Sequence, residues 1–249
     1  MISISNLNKT FNRGRANEVV ALHNINLEIF RQEFVVIVGS NGSGKSTLLN
    51  CIAGIILPTS GKIFIDGTAV TSLPDYKRSP WVARVFQNPL SGTAPDLSIL
   101  DNFRLASLRT SSKKLITGIT ASFKKEVQDK ISSLGMGLEN KINQPMGTLS
   151  GGQRQALTLL MSVMDDCKVL LLDEPTAALD PRSASIVMET ADKLIKEYSL
   201  TAVLITHNMK EAFQYGSRII QMSEGEIIRD LNREQKSGLL HAEIYEWFG

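Results

Sequence analysis

The 249 residues contain only two cysteines, Cys51 and Cys167, both in apolar surroundings and without a CxxC or Cys/His spacing. That scarcity excludes a disulfide framework and a structural zinc site, and both thiols read as reduced packing residues. Long apolar runs are also lacking. No stretch approaches the roughly 20 residues that cross a bilayer, and Met1-Ile2-Ser3-Ile4-Ser5 has no basic region leading into an apolar one. The chain is therefore expected in the cytosol, with any work at a membrane done through a partner. An excess of either charge is missing too, with 27 Lys and Arg against 25 Asp and Glu. A net charge of +2 gives no broad footprint for nucleic acid, and none is expected as a partner. Internal repeats, low-complexity segments and coiled-coil heptads are all absent.

What is present begins as β-structure. Apolar residues alternate with polar ones at Ile2, Ile4 and Leu7, and again at Ile25, Leu27 and Ile29, the period of half-buried strands. Phe34 to Val38 is an unbroken apolar run, as expected of a strand covered on both faces of a parallel sheet. A glycine-rich turn and a helix from near Gly44 follow. Pro58-Thr59-Ser60-Gly61 reads as a turn, and Lys62 to Gly67 as a strand closed by Asp66-Gly67. From Asn88 to about Asp166 helical spacing takes over, with a lysine-bearing polar stretch at 110–130. There Lys113, Lys114, Lys124 and Lys125 read as a solvated face, being mixed with Glu126 and Asp129. An α/β rhythm then resumes, with strands at Val169–Leu172 and Thr201–Ile205 around a helix from about Ser183 to Glu197, implying a parallel pair with a right-handed crossover. The tail from Arg233 to Phe248 reads as helical, with Leu239, Leu240, Ile244, Trp247 and Phe248 as its packing residues.

Two chemistry-bearing patterns sit in this frame. Gly39-Ser40-Asn41-Gly42-Ser43-Gly44-Lys45-Ser46 fits the phosphate-binding P-loop, between a predicted strand and a predicted helix. Glycines let successive N–H groups turn inward on phosphate oxygens, and the helix N-terminus adds its positive end. Lys45 is placed to reach the β- and γ-phosphates, Ser46 to ligate Mg²⁺, and Thr47 to touch the α-phosphate. The bland alternative is a glycine-rich loop that binds nothing. The second pattern, Val169-Leu170-Leu171-Leu172-Asp173-Glu174, is an apolar strand delivering two carboxylates where open parallel sheets place their ligands, and looks like a Walker B element. Asp173 would hold Mg²⁺ and Glu174 would orient or deprotonate a water; solvated acids at a strand end are the alternative. His207 emerges from another buried strand at the same edge, where it can meet a γ-phosphate, although a lone histidine is more often structural.

Leu149-Ser150-Gly151-Gly152-Gln153 resembles the signature motif of ABC transporter ATPases, and it stands just ahead of the carboxylate strand. By its chemistry alone, Ser-Gly-Gly opening a helix is equally an ordinary cap. The resemblance covers nearly the whole chain. It implies an α/β fold: a P-loop NTPase core with a parallel sheet, an antiparallel β subdomain on the N-terminal side and an inserted helical subdomain. Residues 1–249 then form one domain, with a RecA-like core plus β subdomain over 1–87 and 167–232, a helical subdomain over 88–166 and a C-terminal helix over 233–249. Gln87 looks like the Q-loop glutamine of the Mg²⁺ shell, Ala178-Leu179-Asp180 resembles the D-loop, and Phe11 matches the ring that stacks on adenine, where tyrosine is commoner. A core phenylalanine at a strand end is the other reading of Phe11.

The same resemblance implies ATP and Mg²⁺ as cofactors and a head-to-tail pair, in which Ser150, Gly151, Gly152 and Gln153 of one copy complete the site built on Lys45 of the other. It further implies an integral membrane permease, peripheral attachment at the inner face of the cell membrane, and an ATPase cycle that drives transport. The stretches from Gln87 to Pro95 and from Gly152 to Met161 look like a bacterial importer group served by extracytoplasmic solute-binding proteins and handling amino acids or similar small solutes, with Ala156 replacing a commoner arginine. Alternatives in the same family are an exporter or lipoprotein-release ATPase, a non-transport ABC ATPase, and a catalytically silent subunit.

Overall fold

A computed structural model describes residues 1–109 and 118–239. The strands are β1 (Ile2–Phe11), β2 (Val19–Ile29), β3 (Phe34–Val38), β4 (Ser60–Ile65), β5 (Thr68–Ala69), β6 (Val82–Val85), β7 (Val169–Asp173), β8 (Thr201–Ile205), β9 (Arg218–Ser223) and β10 (Glu226–Leu231). The helices are α1 (Lys45–Ala53), α2 (Asp75–Arg78), α3 (Ile99–Ala106), α4 (Ala121–Ser132), α5 (Gly151–Ser162), α6 (Pro181–Glu197), α7 (Met209–Gln214) and α8 (Arg233–Ser237). A six-stranded sheet runs in the order β10-β9-β3-β8-β7-β6, parallel except where β10 returns against β9. A four-stranded antiparallel sheet has the order β2-β1-β4-β5.

The six-stranded sheet divides two hydrophobic cores, and period-2 alternation deals each strand's residues between them. Val35, Ile37, Val169, Leu171 and Val203 face α1 and the antiparallel sheet. Phe34, Val36, Val38, Leu170, Leu172 and Leu204 face the side packed by α3, α4, α5 and α6. Burial on both faces is why these strands are unbroken apolar runs. The segment 88–166 supplies α3, α4, α5 and a 3-10 turn at Met146–Thr148.

The odd gaps from Ile4 to Leu7 and from Leu22 to Ile25 have a structural cause. The β1–β2 ladder shifts register between Ile4 and Leu7, and Asn6 and Asn24 both take φ near 47°. Each is a one-residue bulge that returns the apolar residues to the core face. Asparagine tolerates the left-handed conformation and bonds backbone locally. Here the Asn26 side chain accepts from the Asn6 N–H, and that of Asn8 from the Asn24 N–H, each at 2.9 Å.

Several expected boundaries move. The helix expected from Ser183 starts at Pro181, because Asp180 caps it through the Arg182 and Ser183 N–H groups and proline suits the first helical position. Ser60 and Gly61, read as part of a turn, already belong to β4, where Ser60 pairs with Asn8. Lys124 and Lys125 are exposed on α4, whereas Lys113 and Lys114 lie outside the described residues. Only Arg233–Ser237 of the expected tail helix is described as helix, and Leu239 packs against the core. Leu240, Ile244, Trp247 and Phe248 fall outside the described residues.

Candidate functional site

The glycine loop leaves β3 and enters α1 under tight constraint. A Cβ on Gly39, whose φ is 145°, would sit 2.1 Å from the Met222 carbonyl oxygen; one on Gly44, at φ 98°, would sit 2.5 Å from that of Ala21. Only glycine fits these two places. Ser40, Asn41 and Gly42 are exposed at the crest, while Ser43 and Lys45 are buried. Lys45 Nζ donates to the carbonyls of Gly39 at 2.7 Å and Ser40 at 2.9 Å. Burial pushes its pKa below the usual lysine value, against the pull of Glu174 and Asp173. A cation held by neutral carbonyls under a crest of exposed backbone is poised to exchange those partners for anionic oxygens. Thr47 stands half-buried two residues further along α1.

The carboxylate strand ends at this loop. Ser46 Oγ donates to Asp173 Oδ1 at 3.3 Å. Glu174, in the left-handed region at φ 47°, accepts on a single oxygen from Gln87 Nε2 at 3.4 Å, with His207 Nδ1 3.1 Å from the same atom. Backbone in that region costs a residue with a side chain about 1–2 kcal/mol, and such strain gathers at functional sites. Thus Lys45, Ser46, Gln87, Asp173, Glu174 and His207 meet at one sheet edge, from segments far apart in sequence. Among the described residues no three His, Cys, Asp or Glu side chains form a metal cage. Ser46 Oγ and Asp173 Oδ1 are instead a pair of hard oxygens. That set suits Mg²⁺, which takes one or two protein oxygens and completes its shell with phosphate and water.

The remaining expected residues lie elsewhere. Ser150 caps α5, and its side chain and that of Gln153 form a reciprocal capping box, at 3.3 and 3.2 Å. The Gly151 and Gly152 amides are left outside that cap. A Cβ on Gly152 would lie 2.6 Å from Ser183 Cβ, so the signature segment rests on the start of α6. Asp180 accepts from the N–H groups of Arg182 and Ser183 at 3.1 Å each, and its bonds to Ser183 hold its carboxyl below the usual range. Phe11 ends β1 half-buried, with Lys9 Nζ 4.9 Å from its ring centroid, so it is not a core residue.

Three residues escaped sequence reasoning. Arg84 forms a part-buried ion pair with Asp173. Gln155 donates to the Phe86 carbonyl at 2.7 Å and that of Pro175 at 3.0 Å, tying α5 to the segments that carry Gln87 and Glu174. Glu211, buried, accepts from the hydroxyls of Thr176 and Thr206 at 2.7 Å each and so links the turns beyond β7 and β8. Each partner is remote in sequence or sits in a turn, so only Gln155, next to the signature, carried a local signal.

Residues 22–177 match the ABC transporter family. This chain belongs to the ABC transporter ATP-binding family. The cassette is 42% identical over 255 residues to the tyrosine transport ATP-binding protein of Clostridioides difficile (strain R20291), covering 100% of this chain and 98% of that protein. It is 32% identical to the phosphonates import ATP-binding protein PhnC of Lactococcus lactis subsp. cremoris (strain SK11), covering 98% of each. Its structure resembles the dimeric post-hydrolysis state of the ATP-binding cassette MJ0796 bound to ADP and Pi, with a TM-score of 0.80, 30% identity, and coverage of 94% of this chain and 99% of that one. The cassette therefore has the ABC fold and its nucleotide-binding architecture. No helix among its described residues is long and apolar enough to cross a membrane.

Proposed function

We propose that this cassette hydrolyses ATP to ADP and phosphate and that its cycle powers solute movement through a separate integral membrane permease. The observation that carries this reading is the environment of Glu174, whose carboxylate is gripped from two sides by Gln87 and His207 beside the glycine loop. Glu174 is the group that orients or deprotonates the attacking water. His207 steadies that carboxylate and faces the charge that develops on the γ-phosphate. Gly39 to Gly44 line the phosphates with backbone N–H groups, Lys45 gives up its carbonyl partners for the β- and γ-oxygens, Thr47 meets the α-phosphate, and Phe11 offers a ring face to adenine. Ser46, Asp173 and Gln87 would hold Mg²⁺, which would supply positive charge against the phosphates.

The site is completed by a second copy. Ser150, Gly151, Gly152 and Gln153 of one cassette close over the nucleotide held by Lys45 of the other, and Asp180 lies along the same seam. The ADP- and Pi-bound MJ0796 structure is a dimer, which supports that arrangement. We assign the nucleotide core and β subdomain to 1–87 and 167–232, the permease-facing helical lobe to 88–166 and a terminal helix to 233–249. Closure is passed on through the Gln87 region. The cassette works at the cytoplasmic face of the membrane and imports an amino acid or similar small solute delivered by an extracytoplasmic binding protein. The phosphonates import name of one relative supports import, and the tyrosine transport name of another supports an amino acid as the solute.

Co-purification with the products of its neighbouring genes, followed by ATPase assay of any permease complex in liposomes, tests this reading. One small solute should raise turnover through the complex. Turnover indifferent to every solute and to the permease would refute coupling.

A further inference from the structure

Arg84 is the one strand residue whose charge breaks the otherwise apolar β6. Alternation fixes which way it projects: Ala83 and Val85 enter the core beneath the helical segment, while Val82 enters the core shared with α1, so Arg84 points toward α1. Asp173 points the same way, two residues beyond Leu171 on the neighbouring parallel strand, where Leu171 pairs with Arg84. The two side chains meet as an ion pair through Nη2 and Oδ2, at 10% and 13% exposure. Arg84 Nη1 donates to Asn50 Oδ1 at 2.5 Å. Asn50 stands one turn beyond Ser46 on α1, and Ser46 Oγ donates to the other oxygen of Asp173. A closed ring results: Ser46, Asp173, Arg84, Asn50 and back along the helix. The guanidinium also lies 4.7 Å from the centroid of Phe86, which precedes Gln87.

We propose that Arg84 is a positioning residue for the metal-holding aspartate, occupying Oδ2 so that Oδ1 is already turned to Ser46 before Mg²⁺ and nucleotide arrive. This rests on the reading that Ser46 and Asp173 hold Mg²⁺. The arrangement is costly as packing, because Arg84 Nε is buried without a hydrogen-bond partner and an apolar side chain would suit a strand position only 10% exposed better. Residues that break a local rule at such a cost gather at functional sites. Two effects oppose each other. A fixed cation would repel Mg²⁺, yet here it sits on Oδ2, leaving Oδ1 on the side that Ser46 faces. With Arg84 gone, the cation left acting on Asp173 is Lys45, which already feels its charge. Drawing those two together would withdraw one from the metal and the other from the phosphates. Orientation therefore outweighs repulsion.

Calorimetric titration of adenylyl imidodiphosphate, at stepped Mg²⁺ concentrations and in EDTA, tests this without turnover. In the wild type, Mg²⁺ should tighten binding. Arg84→Met should raise the Mg²⁺ concentration at which tightening is half complete by about tenfold or more, the effect typical of losing an outer-shell partner. Affinity in EDTA should change little. Arg84→Lys, which keeps the charge but cannot bridge Asn50 and Asp173, should give a smaller rise in the same direction, as should Asn50→Ala; these two carry the test if Arg84→Met does not fold. An unchanged or lower Mg²⁺ midpoint in the variants, beside a normal wild-type response, would overturn the role of Arg84 alone. A wild type indifferent to Mg²⁺ would overturn the metal reading and this proposal together.

Discussion

The glycine-loop edge and the signature segment both present backbone N–H groups at the start of a helix, but they are built in opposite ways. Around Lys45 and Asp173 the contacts are long-range: Ser46 reaches a residue 127 positions away, Arg84 one 89 away, and Gln87 one 87 away. Charges are buried and paired, and the backbone at Glu174 is strained. At Ser150 itself the side-chain bonds close within three residues, in a neutral capping box, and the longer reaches to Phe86 and Pro175 begin only at Gln155. The first region, the reaction site of the proposed function, is held in register by the whole fold, whereas the second is a stable helix start whose first two amides, Gly151 and Gly152, keep their donors free of the cap. A nucleotide spanning both needs a rigid half that sets the chemistry and a simpler half that another copy can bring up and withdraw.

Breaking the rigid half should cost most. Lys45→Ala removes charge-assisted bonds to two phosphates and should weaken ATP binding by about a hundredfold or more in equilibrium titrations; unchanged affinity would undo the cradle. Glu174→Gln keeps the shape but not the base, so steady-state assays should show hydrolysis down by about a hundredfold or more, with binding nearly intact. Ser150→Ala sharpens the contrast. Loss of the cap costs the fold about 1 kcal/mol, a drop in Tm of roughly 2–4 °C for a chain of this size. Turnover should fall well beyond that, while single-site nucleotide affinity in a dilute monomer stays unchanged.

The smallest effect belongs to neither half. Lys236 donates to the Tyr215 and Gly216 carbonyls from a buried position on α8, and burial pushes its pKa down to about 8. The unfolded chain keeps this lysine near 10.4, so between about pH 8 and 10.4 the unfolded state holds more protons and stability rises with pH. Thermal melts across that window should show the rise in the wild type and a flatter response in Lys236→Met, with ATP binding alike in both.

Much of this was legible wherever chemistry is contiguous. Gly39 to Ser46 is an uninterrupted motif, and Phe34–Val38 and Thr201–Ile205 are strands at their expected bounds because both faces are buried. Legibility fails where function depends on a partner that only folding supplies. Arg84 reads as a polar interruption in Val82-Ala83-Arg84-Val85, since its carboxylate partner lies on another strand. Glu211 reads as a surface helix residue, yet two threonine hydroxyls enclose it. Gln153 shows the reverse case, a motif residue whose side chain is here committed to capping its own helix. The bulges at Asn6 and Asn24 were not anticipated, because Ile2, Ile4 and Leu7 read as plain alternation, although the odd gap from Ile4 to Leu7 already requires an extra residue.

The central claim is that nucleotide joins the rigid half of one copy to the signature half of another. Sedimentation of Glu174→Gln with Mg²⁺ and ATP tests it most directly. A species near twice 27.4 kDa, lost in EDTA or when Ser150→Arg is added to the same chain, is the predicted result. A nucleotide-loaded species that stays at 27.4 kDa at high concentration, with or without the permease, would contradict it.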